Sequence, residues 1–456
     1  MPNTPETNLA LLDNFDLDIR LKALQQARTG AGLMPPPAGA PRTNMHLHSF
    51  FSFNTNGSSP CRLAWEAATA GLFAAGLCDF DVLDGLEEFL AAGTILHLRV
   101  TANLETRAFF REYAELDVNS PGEPGVTYIM GGGFARVPDP ATEAGRVLAQ
   151  YRQQAQARNH TLVERINRAL PEIALDYDRQ VVPLTPAGAP TERHIVRAYR
   201  RQAQQVFPDE AAHRQFWSRI AGQPAAQLSD RLASTAAMEE FIRALLIKSG
   251  GIAYEQPGPH SFPPVDDFIN WVRDCGALPM ITWLDGTSAG ESDAAAMLEC
   301  LRAKGACALN IIPDRNHNIA DPDLRSRKIA KLDEIVQLAA AMHLPVQIGT
   351  EMNKAGQPFV DDPDCEALRT HAPQFLSGAA IMVGHTILAR YAEFPYNSAA
   401  ARVEFGGDLR RRNAFFEAVG HLPAPDTVLA QKLADAGPER AMNLIRDAVQ
   451  QGCWTG

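Results

Sequence analysis

The pattern of apolar and polar positions along this chain falls into regimes. Thr43 to His48 alternates with the period of two of a β-strand, which sets His46 and His48 on one face. Gly76 to Asp81 (GLCDFD) and Arg99 to Arg107 (RVTANLETR) read as second and third strands, each ending in acidic residues. Helical runs precede them: Leu63 to Ala75, and Asp84 to His97 with Leu86, Phe89, Leu90 and Ile95 as its apolar face. A fourth strand is expected at Val126 to Phe134. Its triple glycine either permits close backbone approach or forms a glycine-rich turn.

From about Ala141 to Ser249 the pattern turns helical, polar and rich in alanine and arginine, a stretch too long to be a loop. Alternation then resumes, with strands expected at Leu278 to Leu284, Cys307 to Ile312, Leu344 to Thr350 and Ala379 to Val383. Helices are expected between them at Val265 to Arg273, Asp293 to Lys304 and Lys328 to Met342. Ahead of all this, Leu9, Leu11, Leu12, Ile19, Leu21 and Leu24 recur near helical spacing, and MPPPAGAPR closes the segment.

Strands alternating with helices predict an α/β fold, a parallel sheet or barrel with its chemistry at the carboxyl ends of the strands. His46, His48, Asp79, Asp81 and Glu105 all fall at such ends. The expected organisation is an N-terminal helical extension (1–42), a barrel in two parts (43–140 and 259–390), a helical insertion between them (141–258) and a C-terminal helical cap (391–456).

Composition narrows the function classes. Of 456 residues, 46% are hydrophobic and 21% charged, and no apolar run approaches the roughly 18 to 20 residues of a membrane span. The N-terminus carries acids where a secretory signal has a basic region, so a cytoplasmic protein with no membrane association is expected. Seven scattered cysteines without a C-x-x-C pair read as small hydrophobes. A formal charge of -11 argues against binding long nucleic acid, and still allows a local basic pocket for one phosphate.

Two imidazoles on one strand face can grip a metal ion, or they are ordinary polar strand residues. Asp79 can orient a ligand, act as a base or cap the following loop. Arg107, Arg193, His194 and Lys248 are candidate phosphate binders through charge-assisted hydrogen bonds, against the bland reading of a solvated helical face. Asp285 in DGTSAGES and Arg315 in PDRNHN follow expected strands and so belong to the same rim. His385 in VGHT follows another and is a candidate ligand or proton donor, or else a buried, hydrogen-bonded histidine.

In sum these residues resemble the PHP family of metal-dependent phosphoesterases, closest to its nucleotide-phosphatase and exoribonuclease branch. His46-Leu47-His48-Ser49 stands where that family has H-x-H-[ST], GLCDFDVLDG resembles its second-strand motif, and NLETR its G-x-E. GALPMITW and PVQIGTEMN resemble the later motifs, and TERHIVRAY and LIKSGGIAYEQP two motifs of the insertion. The order of all seven agrees. The resemblance implies a distorted (β/α)7 barrel and a hydrolase acting on a small phosphorylated or nucleotide substrate. The departures are specific: Phe80, Tyr128, Trp283 and Asn353 stand at family histidine positions, and Asn54 at an aspartate. What remains, His46, His48, Glu105 and Glu351, are positions that share one metal in the family. The resemblance therefore implies a reduced site for one divalent transition metal, zinc, manganese or iron. Two further readings are a catalytically degenerate binding protein and a mononuclear amidohydrolase-like enzyme acting on C–N bonds.

Overall fold

A computed structural model describes residues 9–30 and 40–454. Part of the proline-rich run expected to close the first segment lies outside the described residues. Within them, α1 (Leu17–Gly30) packs Leu24 into a cluster with Leu12, Trp65, Leu77 and Phe89. Its Arg20 reaches the buried Glu88 with Nε at 2.8 Å from Oε1.

Seven strands form one sheet in sequence order: β1 (Thr43–Leu47), β2 (Ala74–Phe80), β3 (Arg99–Phe109), β4 (Val126–Gly132), β5 (Leu278–Trp283), β6 (Ala308–Ile311) and β7 (Val346–Ile348). A parallel bridge between Leu47 and Glu351 brings β1 back to the end of β7, so the sheet curls into a nearly closed barrel. The expectation of parallel pairing throughout needs one correction: β4 runs antiparallel to both β3 and β5. The connection from β3 to β4 holds one turn of 3-10 helix, too little for a crossover, so the chain turns back at the end it has just reached.

Between the early strands lie α2 (Pro60–Thr69) and α3 (Leu86–Leu96). Ser59 caps α2 by accepting from the Arg62 N–H, and Gly71 at φ +66° ends it earlier than the apolar pattern suggested, because Ala74 and Ala75 already belong to β2. Between β4 and β5 come α4 (Glu143–Ala169), α5 (Glu192–Val206), α6 (Glu210–Ala221) and α7 (Thr235–Leu246), around their own cluster of Ile166, Tyr199, Trp217 and Ile242. The outer layer continues with α8 (Val265–Asp274), α9 (Ala294–Lys304) and α10 (Pro322–Ala341).

The strand expected at Ala379 to Val383 is instead part of α11 (Ala372–Tyr391), a helix buried on nearly every side. A short apolar run that is buried all round carries no period to separate helix from strand, which is why the pattern misled. By length and composition α11 would pass as a membrane span, contrary to the sequence reading, and 72% of that window is buried inside the protein. It plugs the base of the barrel, where the triple glycine does its work: a Cβ on Gly133 (φ +70°) would lie 2.3 Å from the ring of His385. Helices α12 (Ala399–Phe405), α13 (Leu409–His421), α14 (Thr427–Ala436) and α15 (Pro438–Gln451) follow, sharing a core with α11 through Phe416, Leu433 and Ile445.

Candidate metal centre

β1 is irregular between Asn44 and Leu47: Met45 joins the residues at the base of the barrel, His46 and His48 turn toward Glu105 at its mouth, and Leu47 enters the cluster under α2. Two backbone hydrogen bonds fix the end of this strand against the loop after β7: His48 N–H donates to Glu351 O at 2.9 Å, and Glu351 N–H to His46 O at 2.8 Å. Gly349 makes that approach feasible, since a Cβ there would lie 2.4 Å from the Cβ of His46. Asn44 adds a side-chain clasp, its Nδ2 donating to Thr350 Oγ1 and to Phe359 O. From β3, the register that pairs Phe80 with Glu105 puts the Glu105 carboxylate above the two rings.

The three donor atoms form a near-equilateral triangle. His46 Nε2 lies 3.3 Å from His48 Nε2 and 3.4 Å from Glu105 Oε2, and His48 Nε2 lies 3.5 Å from the same oxygen. A cation ~2.1 Å from each of three ligands in a tetrahedral array sets them ~3.4 Å apart. All three side chains are buried, and Glu105 Oε2 has no hydrogen-bond partner. The outer ring nitrogens are already engaged. His46 Nδ1 faces Asn310 Oδ1 at 3.0 Å. His48 Nδ1 faces Ser52 Oγ at 3.3 Å, and that hydroxyl gives its own hydrogen to Asp79 Oδ1 at 2.7 Å. On these contacts Nδ1 is the donor of each ring, which turns both Nε2 atoms inward. Two ring nitrogens and a carboxylate oxygen converging in a buried space call for a positive charge among them, a proton on His46 or a cation between the three. The group could hold a metal ion on these grounds.

The electrostatics favour one positive charge in this group. Burial disfavours charge on both imidazoles; Cys78 and Glu105 reverse this at His46, whose pKa is raised well above the ordinary value. At His48 burial is reinforced by His46, and the pKa is well below it. The pair thus tolerates a single positive charge. Burial also raises the pKa of Glu105, with His46 pulling the other way.

The residues singled out from the sequence separate into groups. Glu351, expected to complete a four-ligand set, reaches the triad through its backbone, while its carboxylate is taken by Arg315 Nη2 at 2.6 and 2.8 Å and by Gln357 at 3.2 Å. Burial would raise its pKa, and Arg315 and His46 bring it down to about 2. Glu351 and Met352 both adopt positive φ, 62° and 60°, a strained pair of non-glycine residues at the rim. Asp79 is buried behind His48, accepting from Ser49 N, Ser49 Oγ and Ser52 Oγ; burial lifts it to about 6. It orients rather than reaches the open space. Asp285 is spent on Lys328 at 2.7 Å and on Thr287, which offset its burial and lower its pKa.

His385, a candidate rim ligand, is corrected by the structure. It sits in α11 at the opposite end of the barrel, with Thr386 beside it bonded to Thr101 near the start of β3. Its Nε2 donates to Gly133 O at 3.0 Å and its Nδ1 accepts from Tyr396 N–H at 3.1 Å.

Above the triad opens a cavity of about 990 Å³ between the barrel mouth and the helices inserted after β4. Arg107, Arg193, Lys248 and Arg315 line it, as do Phe80, Tyr128, Glu351 and, alone of the triad, Glu105; His46 and His48 lie buried beneath, and Asp79, Asp285, His385 and His194 are not among its lining. His194 instead caps α5, its Nδ1 accepting from Thr191 N–H, and burial takes its pKa down to about 3. Phe80, where the resemblance would have a histidine, stacks on His48 with ring centroids 5.0 Å apart and planes 3° from parallel, and Tyr128 packs edge-on against it. Trp283 is buried among Leu298, Ile311 and Leu332 on the helix side of β5.

Sequence reasoning missed Asn310 and Ser52, which fix the tautomers of the two histidines. Asn310 left a signal, a lone polar residue within the apolar run ALNII; Ser52, in a loop of small polar residues, left none.

No protein-family model matches the sequence, and no curated protein matches it either. Among solved structures, a candidate metal-dependent phosphoesterase from Bifidobacterium adolescentis is similar at 18% identity over 74% of this chain and 97% of that chain, with a TM-score of 0.45. An amidohydrolase from Chromobacterium violaceum, solved with bound sulfate and no metal, is similar at 17% identity over 73% of this chain and 96% of that one, with a TM-score of 0.46.

Proposed function

We propose that this protein is a metal-dependent hydrolase of the PHP type, acting on a phosphoester of a small phosphorylated or nucleotide substrate. One observation carries the reading: His46, His48 and Glu105 aim three potential ligand atoms at one point, with the spacing of a single cation's ligand shell. Two imidazoles and a carboxylate suit zinc, manganese or iron, and leave at least one coordination position free. When bound, such a cation supplies Lewis-acid activation of water and of the substrate oxygen.

The chain's own residues do the rest. Asn310 and the Ser52–Asp79 relay hold the two rings in the tautomer that presents Nε2 inward. Arg315 holds the Glu351 carboxylate and at the same time faces the cavity, so a substrate phosphate arriving there meets a guanidinium already oriented by its partner. Phe80 and Tyr128 give the cavity an apolar floor next to the histidines, which keeps bulk water from that side.

Elemental analysis of protein purified without a metal-affinity tag, followed by a panel of phosphomonoesters, phosphodiesters and amides, tests the proposal. The expected result is close to one transition-metal ion per chain and turnover confined to phosphoesters. Turnover of amides alone would move the chemistry to C–N bonds, and a metal-free, inactive protein would overturn the reading.

A further inference from the structure

Helix α5 supplies none of the three candidate ligand atoms, yet its first two turns grip the loop that follows β1. Phe53, in the middle of that loop and 5% exposed, has the Arg197 guanidinium 4.7 Å and the Arg193 guanidinium 5.5 Å from its ring centroid, and it meets the His194 ring edge-on at 5.1 Å. All three side chains come from one patch of the helix, since residues four apart are neighbours on its surface. Helix α7 ties the two guanidiniums down from behind: Arg193 Nη1 lies 2.6 Å from Glu240 and Arg197 Nε 3.5 Å from Glu239. The His194 ring is fixed by the cap it forms with Thr191. Phe53 thus sits in a socket whose walls are themselves held, and cation–π attraction adds to its burial there.

The residues on either side of Phe53 reach His48 instead. Ser52 Oγ stands 3.3 Å from His48 Nδ1 and donates to Asp79 Oδ1 at 2.7 Å. Asn54 Nδ2 donates to His48 O at 2.9 Å, while its Oδ1 accepts from the N–H groups of Asn56 and Ser58. Both the ring and the backbone of His48 are therefore held by the immediate neighbours of one phenylalanine, whose own side chain is held by the insertion. The start of the same loop is anchored elsewhere: the Phe50 ring lies 5.1 Å from the Arg20 guanidinium of α1 and 5.6 Å from the ring of Phe15. With Phe50 fixed on one side and Phe53 on the other, Ser52 is confined between two anchors. His46 has a different support, because its Nδ1 partner Asn310 belongs to β6 of the barrel itself.

We propose that Phe53 is a positioning residue for the metal centre: clasped by Arg193, His194 and Arg197 of α5, it fixes the loop whose Ser52 and Asn54 set the ring and backbone of His48. The insertion then has a second task beside walling the cavity, the orientation of one member of the triad. The inference rests on the reading that the triad holds a metal ion. Arg197 does not line the cavity, so an effect of replacing it reaches the triad through Phe53 and not through a ligand bound in the cavity.

Two readouts on the full chain test this: zinc affinity by competition with a chelating dye, and the tautomer of His48 in metal-free protein from long-range proton–nitrogen NMR correlations of its ring. Phe53→Leu keeps an apolar filler and loses the aromatic face, and should weaken zinc binding about tenfold and mix the two His48 tautomers. Phe53→Tyr should restore both. Arg197→Gln leaves Phe53 in place and alters only the α5 side, and should weaken zinc binding about threefold, so the outcome does not depend on one variant that folds. Wild-type zinc affinity together with an unmixed His48 tautomer in Phe53→Leu and Arg197→Gln overturns the inference. A lowered melting temperature with both readouts unmoved does so as well, and makes Phe53 an ordinary packing residue. A failure of the hydrolase reading shows itself differently, as a wild type that takes up no zinc, and the His48 tautomer in the metal-free variants then still decides the role of Phe53.

Discussion

Histidine is fully buried at both ends of this barrel, and the two ends use it oppositely. At the base, both nitrogens of His385 are spent on backbone groups, Gly133 O and Tyr396 N–H, so the ring is a neutral bracket between α11 and the glycine turn. At the mouth, His46 and His48 spend only their Nδ1 atoms on the protein and turn Nε2 on each other and on a carboxylate oxygen that has no other partner. Burial and residue type are the same in both places. What differs is whether every donor and acceptor has a protein partner, and that accounting points to a ligand more sharply than residue type does.

The largest expected effect falls on the mouth. The double change His46→Ala and His48→Ala should take metal content from about one ion per chain to none, abolish any hydrolase activity and remove the drop in melting temperature that chelator causes in the wild type, because metal that binds only the folded state stabilises it by mass action. If the variant kept its metal, the mouth histidines would be as structural as His385.

A milder change sharpens the contrast. Asn310→Ala removes the acceptor that holds His46 Nδ1–H, and metal affinity measured by competition with a chelating dye should weaken by 10- to 100-fold, roughly. An unchanged affinity would show that the tautomer of His46 is fixed by something else.

At the base, the effect is on acid stability. His385 has its pKa lowered to about 3 by burial, from an ordinary 6.5. The folded state therefore refuses a proton that the unfolded chain accepts, and stability present above pH 6.5 is lost as pH falls toward 3, by about 1.4 kcal/mol per pH unit from this group. Urea unfolding at pH 7, 6 and 5 should show a shallower decline for His385→Gln than for the wild type. Equal slopes would place the acid sensitivity elsewhere, with His194 the next group to change.

The smallest effect belongs to the cavity wall. Arg193→Ala removes a partly exposed ion pair with Glu240, and its cost to stability, from the same urea titrations, should stay within about 1 kcal/mol. A much larger loss would make Arg193 a structural member of the insertion.

Much of this was legible in the residues, for physical reasons that can be named. Short alternating runs gave seven strands close to their observed bounds, and the period of two alone placed His46 and His48 on one side. The direction of β4 was not legible, because an apolar strand reads the same either way and the connection before it carries no helix pattern strong enough to decide. Nor was α11, where an all-round apolar helix hides its period. Glu351 was found by its place in a motif, but its carboxylate depends on Arg315, a residue 36 positions away whose approach no local pattern encodes.

The closure of the sheet has a kinetic consequence. Asn44 and the loop after β7 are 306 residues apart in sequence, and His46 and Asn310 are 264 apart, so the clasp and the tautomer lock at the mouth join nearly opposite ends of the chain. Contacts of such separation form late, after their loop-closure entropy has been overcome by the strands between them. In a refolding experiment started from denaturant, helix signal recovers first and the capacity to bind metal lags behind it. If the triad holds a metal ion as proposed, its uptake reports on the late event of folding in which β1 meets the loop after β7.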